Sequence, residues 1–392
     1  MTNAYRFVSL FVLLVGVAMA EVSTPASNIT VDCAKGQSLN QALSKLDKHT
    51  PTTVSVNGTC SEYVKVIGFE NLTLKALPGA TLLQPSDGGG DLLNAVLMVE
   101  SSRSVIVSGF KVQADYTVWG IAIGHGSTDI RLRYLNVTGG GLGIAVFENS
   151  QVSVAYVNGQ APGYCALCIY DSSDVHLEHS QFVAAPGAGW NVGIVLGASH
   201  VTLYDTTISN MQVGIGAYQG SVIDLVAFNT YYPLGGPTDV KILNPAGTSF
   251  NGVQADGSGS LNLGSARLLI DKAGQTWAGT TGAILLSNGA TMNGAAGDLV
   301  ITNSVSQGVV ALNNAHATLA GVTISGSAHA GLVAANMSSI DMAFGTQLST
   351  VAGNSVDLFC DSTSWITGTA NINGKPTAQC ANLLPSETVA FP

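Results

Sequence analysis

The segment SQVSVAYVNG, at residues 150–159, decides the fold together with the segment GIAVFEN at residues 143–149. In both segments apolar side chains alternate with small or polar ones over four or five residues, which is the periodicity of a β-strand. A serine that follows a turn residue opens the first segment, and a glycine opens the second. The two segments therefore predict two short strands, too short for the wall of a barrel.

The same pattern recurs along almost the whole chain. It starts at Ser102, Ser127, Ser150, Ser173, Ser199 and Ser221, and again at Ala290, Ala315, Ser338 and Ser362. Neighbouring starts are 22 to 26 residues apart, except between Ser221 and Ala290, where the run at 231–237 indicates a longer loop. A unit of this size cannot bury its own apolar face, so the units must stack. The sequence therefore predicts an all-β, single-domain parallel β-helix solenoid.

The composition excludes several classes of protein. Charged residues make up 10% of the 392 residues, Gly contributes 46, and the mean hydropathy is +0.34. Disorder caused by charge and a charged coiled coil are therefore excluded. The chain has 14 Lys and Arg against 24 Asp and Glu, a net charge of -10, so the positive surface of a nucleic-acid-binding protein is missing. We expect no nucleic-acid partner.

The first twenty residues predict export. Arg6 precedes an apolar stretch at 7–20 that ends in Ala18-Met19-Ala20, the pattern of a signal peptide with a small-residue cleavage site. This stretch is too short for a membrane span, and no later segment reaches the eighteen or so apolar residues that a span needs. We expect cleavage after Ala20 and a secreted or periplasmic protein without a membrane span.

Six cysteines in an exported chain predict disulfides. Two pairs are close in sequence, Cys33 with Cys60 and Cys360 with Cys380, and each would hold one end of the fold together. Cys165 and Cys168 form a CxxC motif without the βαβ pattern of a thioredoxin-like protein. They are either two small buried residues or a local bridge.

A short helix is predicted at the amino-terminal end of the solenoid. In SLNQALSKLD, from Ser38, the residues Leu39, Ala42, Leu43 and Leu46 fall on one helical face. Such a helix can cover the unpaired strand edges that an open solenoid end exposes. The predicted division is therefore a signal peptide at 1–20, an N-terminal segment with the cap helix at 21–51, the parallel β-helix at 52–380 and a C-terminal tail at 381–392.

A cap helix, a cysteine in Val31-Asp32-Cys33 and many irregular repeats resemble the right-handed parallel β-helix superfamily, whose best-known members are pectate lyases and polygalacturonases. The likeness covers roughly residues 52 to 380 and rests on the repeat period. It implies a right-handed coil. Most members of the superfamily cleave or modify acidic polysaccharides, whereas others, such as phage tailspikes and adhesins, mainly bind glycans or surfaces. Because a fold does not fix a function, the site must be argued from its residues.

Stacked repeats lie about 4.8 Å apart, so equivalent positions form columns on the outer surface. Alignment of the repeats predicts one column of Arg131, Ser153, His176, Thr202 and Asp224, and a second of Arg133, Ala155, Glu178, Tyr204 and Val226. Elimination from a uronic acid needs a base and a positive group that neutralises the carboxylate. His176 as the base, with Glu178 beside it and Arg131 or Arg133 as the neutralising group, is therefore the candidate catalytic group. The alternative is an exposed polar ladder.

Aromatic side chains predict a second feature. Ile121, Ile144, Leu167, Ile194 and Ile215 are expected to point inward, so a column with Phe147, Tyr170 and Tyr218, and with Gly124 and Gly197, points outward beside Glu148 and Asp171. Sugars bind by stacking their apolar faces on aromatic rings. The candidate substrate-binding residues are Trp119, Phe147, Tyr170, Trp190, Tyr204 and Tyr218. The alternative is that these rings pack under loops.

The motifs of hydrolases and metal sites are incomplete. Gly124-His125-Gly126, followed by Ile130-Arg131-Leu132, resembles a phrase of the polygalacturonases, but the adjacent-Asp pair and the Asn-Thr-Asp phrase of that family are absent. The Asp-Pro-His phrase of alginate epimerases is absent too. A calcium site needs several carboxylates, and only Asp171 and Asp174 lie close in sequence. We predict no metal and no cofactor.

Two functions remain open. The first is an exported β-helix protein that acts on a polysaccharide, as a lyase-like or related carbohydrate-active enzyme. The second is a non-catalytic glycan-binding or surface protein, in which the aromatic column binds and no reaction occurs. In both cases the predicted partner is a polysaccharide or glycan, and the oligomeric state is left open.

Overall fold

The computed structural model describes residues 27–384, apart from 87–93, 162, 186–190, 227–238, 245–249, 265, 275–280, 295–298 and 344–346. The predicted signal peptide, Trp190 and the loop at 231–237 lie outside the described residues. The division into a signal peptide, cap segment, β-helix and tail stays a prediction.

The chain is a succession of short strands. The first part contains β1 (Ser27–Asp32), the 3-10 turn Cys33–Lys35, α1 (Leu39–Leu43), β2 (Thr52–Asn57), β3 (Thr59–Ser61), β4 (Val64–Ile67), β5 (Leu72–Ala76), β6 (Thr81–Leu83), β7 (Ala95–Glu100), β8 (Ile106–Ser108), β9 (Lys111–Gln113), β10 (Trp119–Gly124), β11 (Ile130–Arg133), β12 (Asn136–Thr138) and β13 (Leu142–Val146). The middle contains β14 (Gln151–Ala155), β15 (Asn158–Ala161), β16 (Cys165–Tyr170), β17 (Asp174–Glu178), β18 (Gln181–Ala184), β19 (Val192–Gly197), β20 (His200–Tyr204), β21 (Thr207–Ser209), β22 (Val213–Tyr218), β23 (Val222–Leu225), β24 (Asp239–Leu243), β25 (Asn251–Asp256), β26 (Ser260–Leu263) and β27 (Arg267–Asp271). The last part contains β28 (Gly282–Ser287), β29 (Thr291–Gly294), β30 (Leu299–Thr302), β31 (Gln307–Leu312), β32 (His316–Leu319), β33 (Thr323–Ser325), β34 (Ala330–Ala335), β35 (Ser339–Met342), β36 (Thr350–Ala352), β37 (Val356–Cys360), β38 (Trp365–Thr367), the 3-10 turn Thr369–Asn371, β39 (Ala378–Cys380) and β40 (Leu383–Leu384).

These strands form three parallel sheets, and each coil of the chain contributes one strand to each sheet. Among the described residues, sheet A has 15 strands, from β1 and β2 through β14 and β17 to β40; sheet B has 12, from β3 to β36; and sheet C has 13, from β4 to β39. Val152 pairs with Ile130 of the coil before and with Val175 of the coil after. Equivalent residues therefore lie directly over one another, and the predicted parallel β-helix is confirmed.

The core is a single apolar column inside the three sheets. In strands such as β14 and β17 the buried Val and Leu side chains alternate with more exposed ones, as the period of two requires. One continuous cluster of buried residues extends along the solenoid, with Phe110 and Phe182 among its largest fully buried side chains. The outward positions of these strands carry the polar side chains, so a binding or catalytic site would be formed on the outer surface of the solenoid.

A ladder of buried serines explains the residue type at the repeat starts. The Oγ atom of Ser173 accepts the backbone N–H of Ser150 at 3.2 Å, and the Oγ atom of Ser199 accepts that of Ser173 at 3.3 Å. The hydroxyl of Ser150 in turn donates to the Phe147 carbonyl, at 2.8 Å. The sequence predicted that the last repeat starts at Ser362. The N–H of Ser338 donates to Oγ of Ser364, so this repeat starts at Ser364 instead. Ser173, Ser199 and Ser364 thus each satisfy a buried amide at the turn from sheet C to sheet A.

The predicted helix is present as α1 at the amino-terminal end. Leu39 and Leu43 are buried, and Ala42 and Leu46 pack against the core. Ser38 accepts the Gln41 N–H at 3.1 Å, and Glu62 accepts the Leu39 N–H at 2.6 Å, where a carboxylate stabilises a helix start. The strand β1, which precedes the helix, pairs with β2 at the edge of sheet A.

All six cysteines are paired, Cys33 with Cys60, Cys165 with Cys168 and Cys360 with Cys380. The two predicted pairs are thereby confirmed, and of the two interpretations left open for the CxxC motif the local bridge is found. Among the described residues, no helix is long and apolar enough to cross a membrane.

Candidate functional site

The outward columns on sheet A follow the predicted alignment. Arg131 pairs with Ser153, Ser153 with His176, and His176 with Thr202, and Thr202 pairs in turn with Asp224. Arg133, Ala155, Glu178 and Tyr204 form the neighbouring column. The side chain of His176 is 30% exposed, so it points to the surface and not into the core.

The contacts divide the predicted catalytic group. Nε2 of His176 lies 3.7 Å from Oε2 of Glu178, so these two side chains meet. Nε of Arg131 instead donates to Oδ1 of Asp129 at 2.8 Å. Arg133 is exposed, and its side chain forms no hydrogen bond or ion pair with another residue that the structure describes. The structure therefore joins the base candidate to its carboxylate, but not to either arginine.

A second histidine on sheet A was missed by the sequence reasoning. Nδ1 of His200 lies 2.8 Å from Oδ1 of Asp174, and its Nε2 lies 3.0 Å from Oδ2 of Asp224. Asn262 donates to the other oxygen of Asp224 at 2.7 Å. The outer face of sheet A thus carries an extended polar cluster over four successive coils. Its signal was present in the alignment, because Asp174 and His200 occupy equivalent positions.

The predicted aromatic column lies on the outer face of sheet C. Tyr170 pairs with Gly197, and Gly197 with Tyr218. The Phe147 ring covers Gly124, and the Tyr170 ring covers Gly197, where an added Cβ atom would lie 2.9 Å from Cδ1 of Tyr170. The Trp119 ring meets Phe147 edge-to-face, with centroids 5.9 Å apart. Tyr204 lies on sheet A, in a T-shaped contact with His179 at 5.2 Å, so it does not belong to this column.

Part of the aromatic column is packed, not free. Tyr170 and Tyr218 pack against a small apolar cluster on the outside of sheet C, formed by Cys165, Cys168, Val192, Val195 and Val213. Burial raises the pKa of Tyr170 to about 12, and burial also raises the pKa of Tyr218. Trp119 and Phe147 are not among the described residues that pack against this cluster, so they are the better candidates for contact with a ligand.

His125 lies at the edge of this face, between two carboxylates. Its Nδ1 is 2.5 Å from Oε2 of Glu148, and its Nε2 is 3.3 Å from Oε1 of Glu100. The backbone N–H of His125 also donates to Oε2 of Glu148 at 3.2 Å. The Phe147 ring lies 6.2 Å from the imidazole, edge-to-face. Glu100 is the last residue of β7, and His125 and Glu148 lie in the turns after β10 and β13. Neighbouring members of this group are 23 to 25 residues apart in sequence, and the stacked coils bring them together.

This arrangement has the elements of acid–base chemistry. A protonated imidazole donates from both of its nitrogens. In that form His125 donates from Nδ1 to Glu148 and from Nε2 to Glu100. General acid–base catalysis requires side chains that donate or accept a proton and that a substrate can reach. The side chains of His125 and Glu148 are 51% and 45% exposed, so a substrate can reach both. The Gly-His-Gly phrase marked His125 in the sequence, but nothing there indicated Glu100.

A pocket of about 460 Å³ lies elsewhere, where strands of sheet B end, and is lined by Leu83, Gln84, Pro85, Ser86, Gln113, Ala114, Asp115, Thr138 and Gly139. Its carboxylate, Asp115, accepts hydrogen bonds from the hydroxyl and the N–H of Thr117, and these lower its pKa. A carboxylate held in its ionised form is a poor proton donor. We therefore place the candidate acid–base group at His125 and not in this pocket.

Among the described residues, one set of three His, Cys, Asp or Glu side chains has its ligand atoms within 4.8 Å of one another, namely Cys33, Cys60 and Glu62. Because Cys33 and Cys60 form a disulfide, their sulfur atoms are not available as thiolate ligands. No metal is assigned from this set.

No protein-family model matches the chain, and no curated protein matches it in sequence. In structure, the catalytic unit of the thermostable GH87 alpha-1,3-glucanase from Streptomyces thermodiastaticus strain HF3-3 is similar, with a TM-score of 0.51 and 11% identity over 93% of this chain and 71% of that chain. This likeness shows the fold alone, a parallel β-helix.

Two further structures align less well. The family 28 exopolygalacturonase of Yersinia enterocolitica has a TM-score of 0.38 and 9% identity over 92% of this chain and 79% of that chain. The alginate lyase of Paenibacillus sp. str. FPU-7 has a TM-score of 0.19 and 12% identity over 91% and 98%. Nothing about the site is taken from either of them.

Proposed function

We propose that the protein acts on a polysaccharide, with Glu100, His125 and Glu148 as its acid–base group. The observation that carries the proposal is the position of His125 between two carboxylates, at the edge of a face that presents Trp119 and Phe147. Cleavage of a glycosidic bond needs a group that protonates the leaving oxygen and a second that acts as base or nucleophile. The aromatic rings supply apolar surface for a sugar. The glucanase with the similar fold is itself an enzyme of a polysaccharide.

The reaction class follows from how these groups are used. Hydrolysis would use Glu100 and Glu148 as the acid and the base, and it would create a reducing end. A lyase would use one group to remove a proton from the sugar ring, and it would create an unsaturated product. Two carboxylates at one site favour hydrolysis, because a pair of carboxyl groups that act as acid and as base or nucleophile is what most glycoside hydrolases use.

His176 and Glu178 are the second candidate centre, and their contact at 3.7 Å favours it. Arg131 is engaged by Asp129, so the neutralising role would fall to Arg133. This is the lyase-like reaction predicted from the sequence. The centre at His176 and Glu178 lies on the outer face of sheet A, whereas the group around His125 lies at the turn after sheet C.

The test compares matched histidine variants on a panel of pectin, alginate, glucans and glycosaminoglycans, with reducing ends and unsaturated products measured in parallel. His125→Asn keeps the left-handed turn, because Asn tolerates the φ of 54° that His125 adopts, and removes the imidazole ring. We expect a loss of turnover of about 10²-fold or more for His125→Asn and for Glu148→Gln. His329→Asn, an exposed histidine of the second half, is the control. Loss of activity in His176→Asn but not in His125→Asn would move the centre to sheet A.

Binding without turnover is the alternative function. It is favoured by the packing of the Phe147 ring over Gly124, which fixes the ring on the sheet. Retention on a glycan column that is lost in Phe147→Ala, with no product from any polysaccharide, would establish it. For either function we propose export, since the pattern at 1–20 is that of a signal peptide. An amino terminus other than Glu21 on the exported protein would contradict the proposed cleavage site.

A further inference from the structure

A stack of exposed rings follows the turn from sheet A to sheet B. Tyr134, Tyr156 and His179 occupy equivalent positions in successive coils, directly after their sheet A strands. The Tyr134 and Tyr156 rings lie 4.9 Å apart with an interplanar angle of 12°, and the Tyr156 and His179 rings have the same spacing and angle. Tyr134 is 60% exposed and Tyr156 is 45% exposed. These aromatics therefore face solvent, at a corner distant from the sheet C column.

The backbone at these positions is unfavourable for aromatic residues. The φ angles of Tyr134, Tyr156 and His179 are 55°, 56° and 47°, in the left-handed region that favours glycine. A side chain there costs about 1–2 kcal/mol, and ring stacking returns about 0.5–1.5 kcal/mol. Other coils place Gly109 or Gly368 near the same turn, with φ of 84° and 66°. Strained, exposed residues of this kind are typical of binding sites.

The stack ends in an open ring face. One face of Tyr134 is covered by Tyr156, and the coil on the other side has Gly109 at the equivalent position. The three atoms nearest to a Cβ atom added at Gly109 all belong to Ala76, whose Cβ would lie 3.3 Å away. The site is therefore a shelf, which we define by Gly109 and Ala76 as its floor and the Tyr134 ring as its end wall.

Three cationic residues lie on the strands that flank the shelf. Lys75 and Arg133 both pair with Ser108 of the coil between them, so their backbones are two coils apart, about 10 Å. Lys111 lies across the turn, two residues after Gly109. All three are exposed, and none forms a side-chain hydrogen bond or ion pair with another residue in the part of the chain that the structure describes. In a chain of net charge -10, three such cations around one open ring are a local exception.

We propose that the shelf binds an anionic sugar unit of a polysaccharide. The apolar face of the pyranose ring would stack on Tyr134, and its acidic group would pair with Lys75, Lys111 and Arg133. Carboxylate and sulfate share this chemistry, and an uncharged sugar lacks it. The inference rests on the proposed function in one respect, that the partner is a polysaccharide. It uses none of Glu100, His125 and Glu148, so the shelf is a holding site and not a reaction centre.

The test measures binding of the full chain by affinity electrophoresis in polygalacturonate, dextran sulfate, neutral dextran or polyphosphate. Tyr134→Asn removes the ring and keeps the turn, because Asn tolerates a positive φ. Lys75→Gln with Lys111→Gln removes two cations, and Lys65→Gln with Lys375→Gln is the control of equal charge, on exposed lysines away from the shelf. We expect the affinity for the polygalacturonate or the sulfated chain to fall about tenfold in both shelf variants and to be unchanged in the control, a free-energy difference of about 1.4 kcal/mol.

Polygalacturonate carries carboxylates and dextran sulfate carries sulfates. The polymer that binds with the higher affinity therefore identifies the acidic group that the shelf prefers. The proposal is overturned if neither anionic polysaccharide binds, if polyphosphate binds as well as they do, or if Tyr134→Asn leaves binding unchanged, because the last two outcomes indicate plain ion exchange. Self-association that depends on Tyr134 in the absence of glycan would also overturn it. His125→Asn separates the two proposals, because it should abolish turnover and leave shelf binding intact.

Discussion

The ring of Phe147 lies directly over the Cα atom of Gly124, so that a Cβ atom at residue 124 would overlap Cε2 of the ring. Gly124 is the last residue of β10, and the next residue, His125, contacts both Glu100 and Glu148. The glycine thus lets an aromatic ring lie flat beside the candidate acid–base group.

Gly124→Ala is expected to displace the Phe147 ring. Because Gly124 does not have a positive φ, the backbone tolerates alanine, and the cost is steric, about 1–3 kcal/mol of the free energy of unfolding. Turnover or glycan affinity should fall with the ring displaced. Denaturant unfolding and binding measure the two effects. In Gly124→Ala with Phe147→Ala the overlap is gone, so the two stability changes should not add; additive changes would show that the ring does not respond to the Cβ atom.

Ser173→Ala is expected to destabilise the solenoid. The Oγ atom of Ser173 accepts the buried Ser150 N–H, and its loss leaves that amide without a partner, at a cost of about 1–3 kcal/mol in the free energy of unfolding. The control is Ser61→Ala, at an exposed serine of β3, where the change should stay within about 0.5 kcal/mol. Equal effects of the two substitutions in denaturant unfolding would show that the ladder does not stabilise the fold.

The strand columns could be predicted from the sequence because side chains alternate strictly along a strand. The alignment of Ile130, Val152 and Val175 predicted their register, which is the observed one. The contacts of His125 could not be predicted, because His125 and Glu148 lie in turns with φ of 54° and 55°, where alternation gives no side-chain direction. The same holds for the stacked rings of Tyr134 and Tyr156.

Long charged side chains were predicted less well than the backbone positions that carry them. The alignment placed Arg131 in the same outward column as His176. Its guanidinium instead donates to Asp129, two residues earlier in the sequence. Local pairing of this kind depends on rotamers, which a repeat alignment does not contain. The fold was thus readable from the period, and the site only in part.

The hydroxyl of Tyr170 should titrate late. Burial raises its pKa to about 12 from 10.0, because the phenolate is disfavoured in the apolar cluster on sheet C. A raised pKa in the folded state means that the contribution of this group to stability is complete below pH 10 and is lost as the pH rises toward 12. Tyr170→Phe should remove the last part of the phenolate absorbance titration. Tyr116→Phe removes one exposed tyrosine as the matched control, and superimposable curves for the two variants would contradict the assignment.

Asp361 should make the carboxyl-terminal end sensitive to acid. Its carboxylate accepts the backbone N–H of Asn336 at 2.7 Å and the N–H and hydroxyl of Thr363 at 2.9 Å, and these bonds lower its pKa to about 2 from 3.8. The unfolded chain therefore binds a proton before the folded chain does, so the stabilisation is present above pH 3.8 and is lost as the pH falls toward 2. In Asp361→Asn the stability should be lower near neutral pH and should depend less on pH in this range, as measured by denaturant unfolding at successive pH values. Ser362→Asn introduces the same side chain at the neighbouring exposed position and should keep the wild-type pH dependence. An unchanged slope in Asp361→Asn would assign the acid sensitivity to another carboxylate.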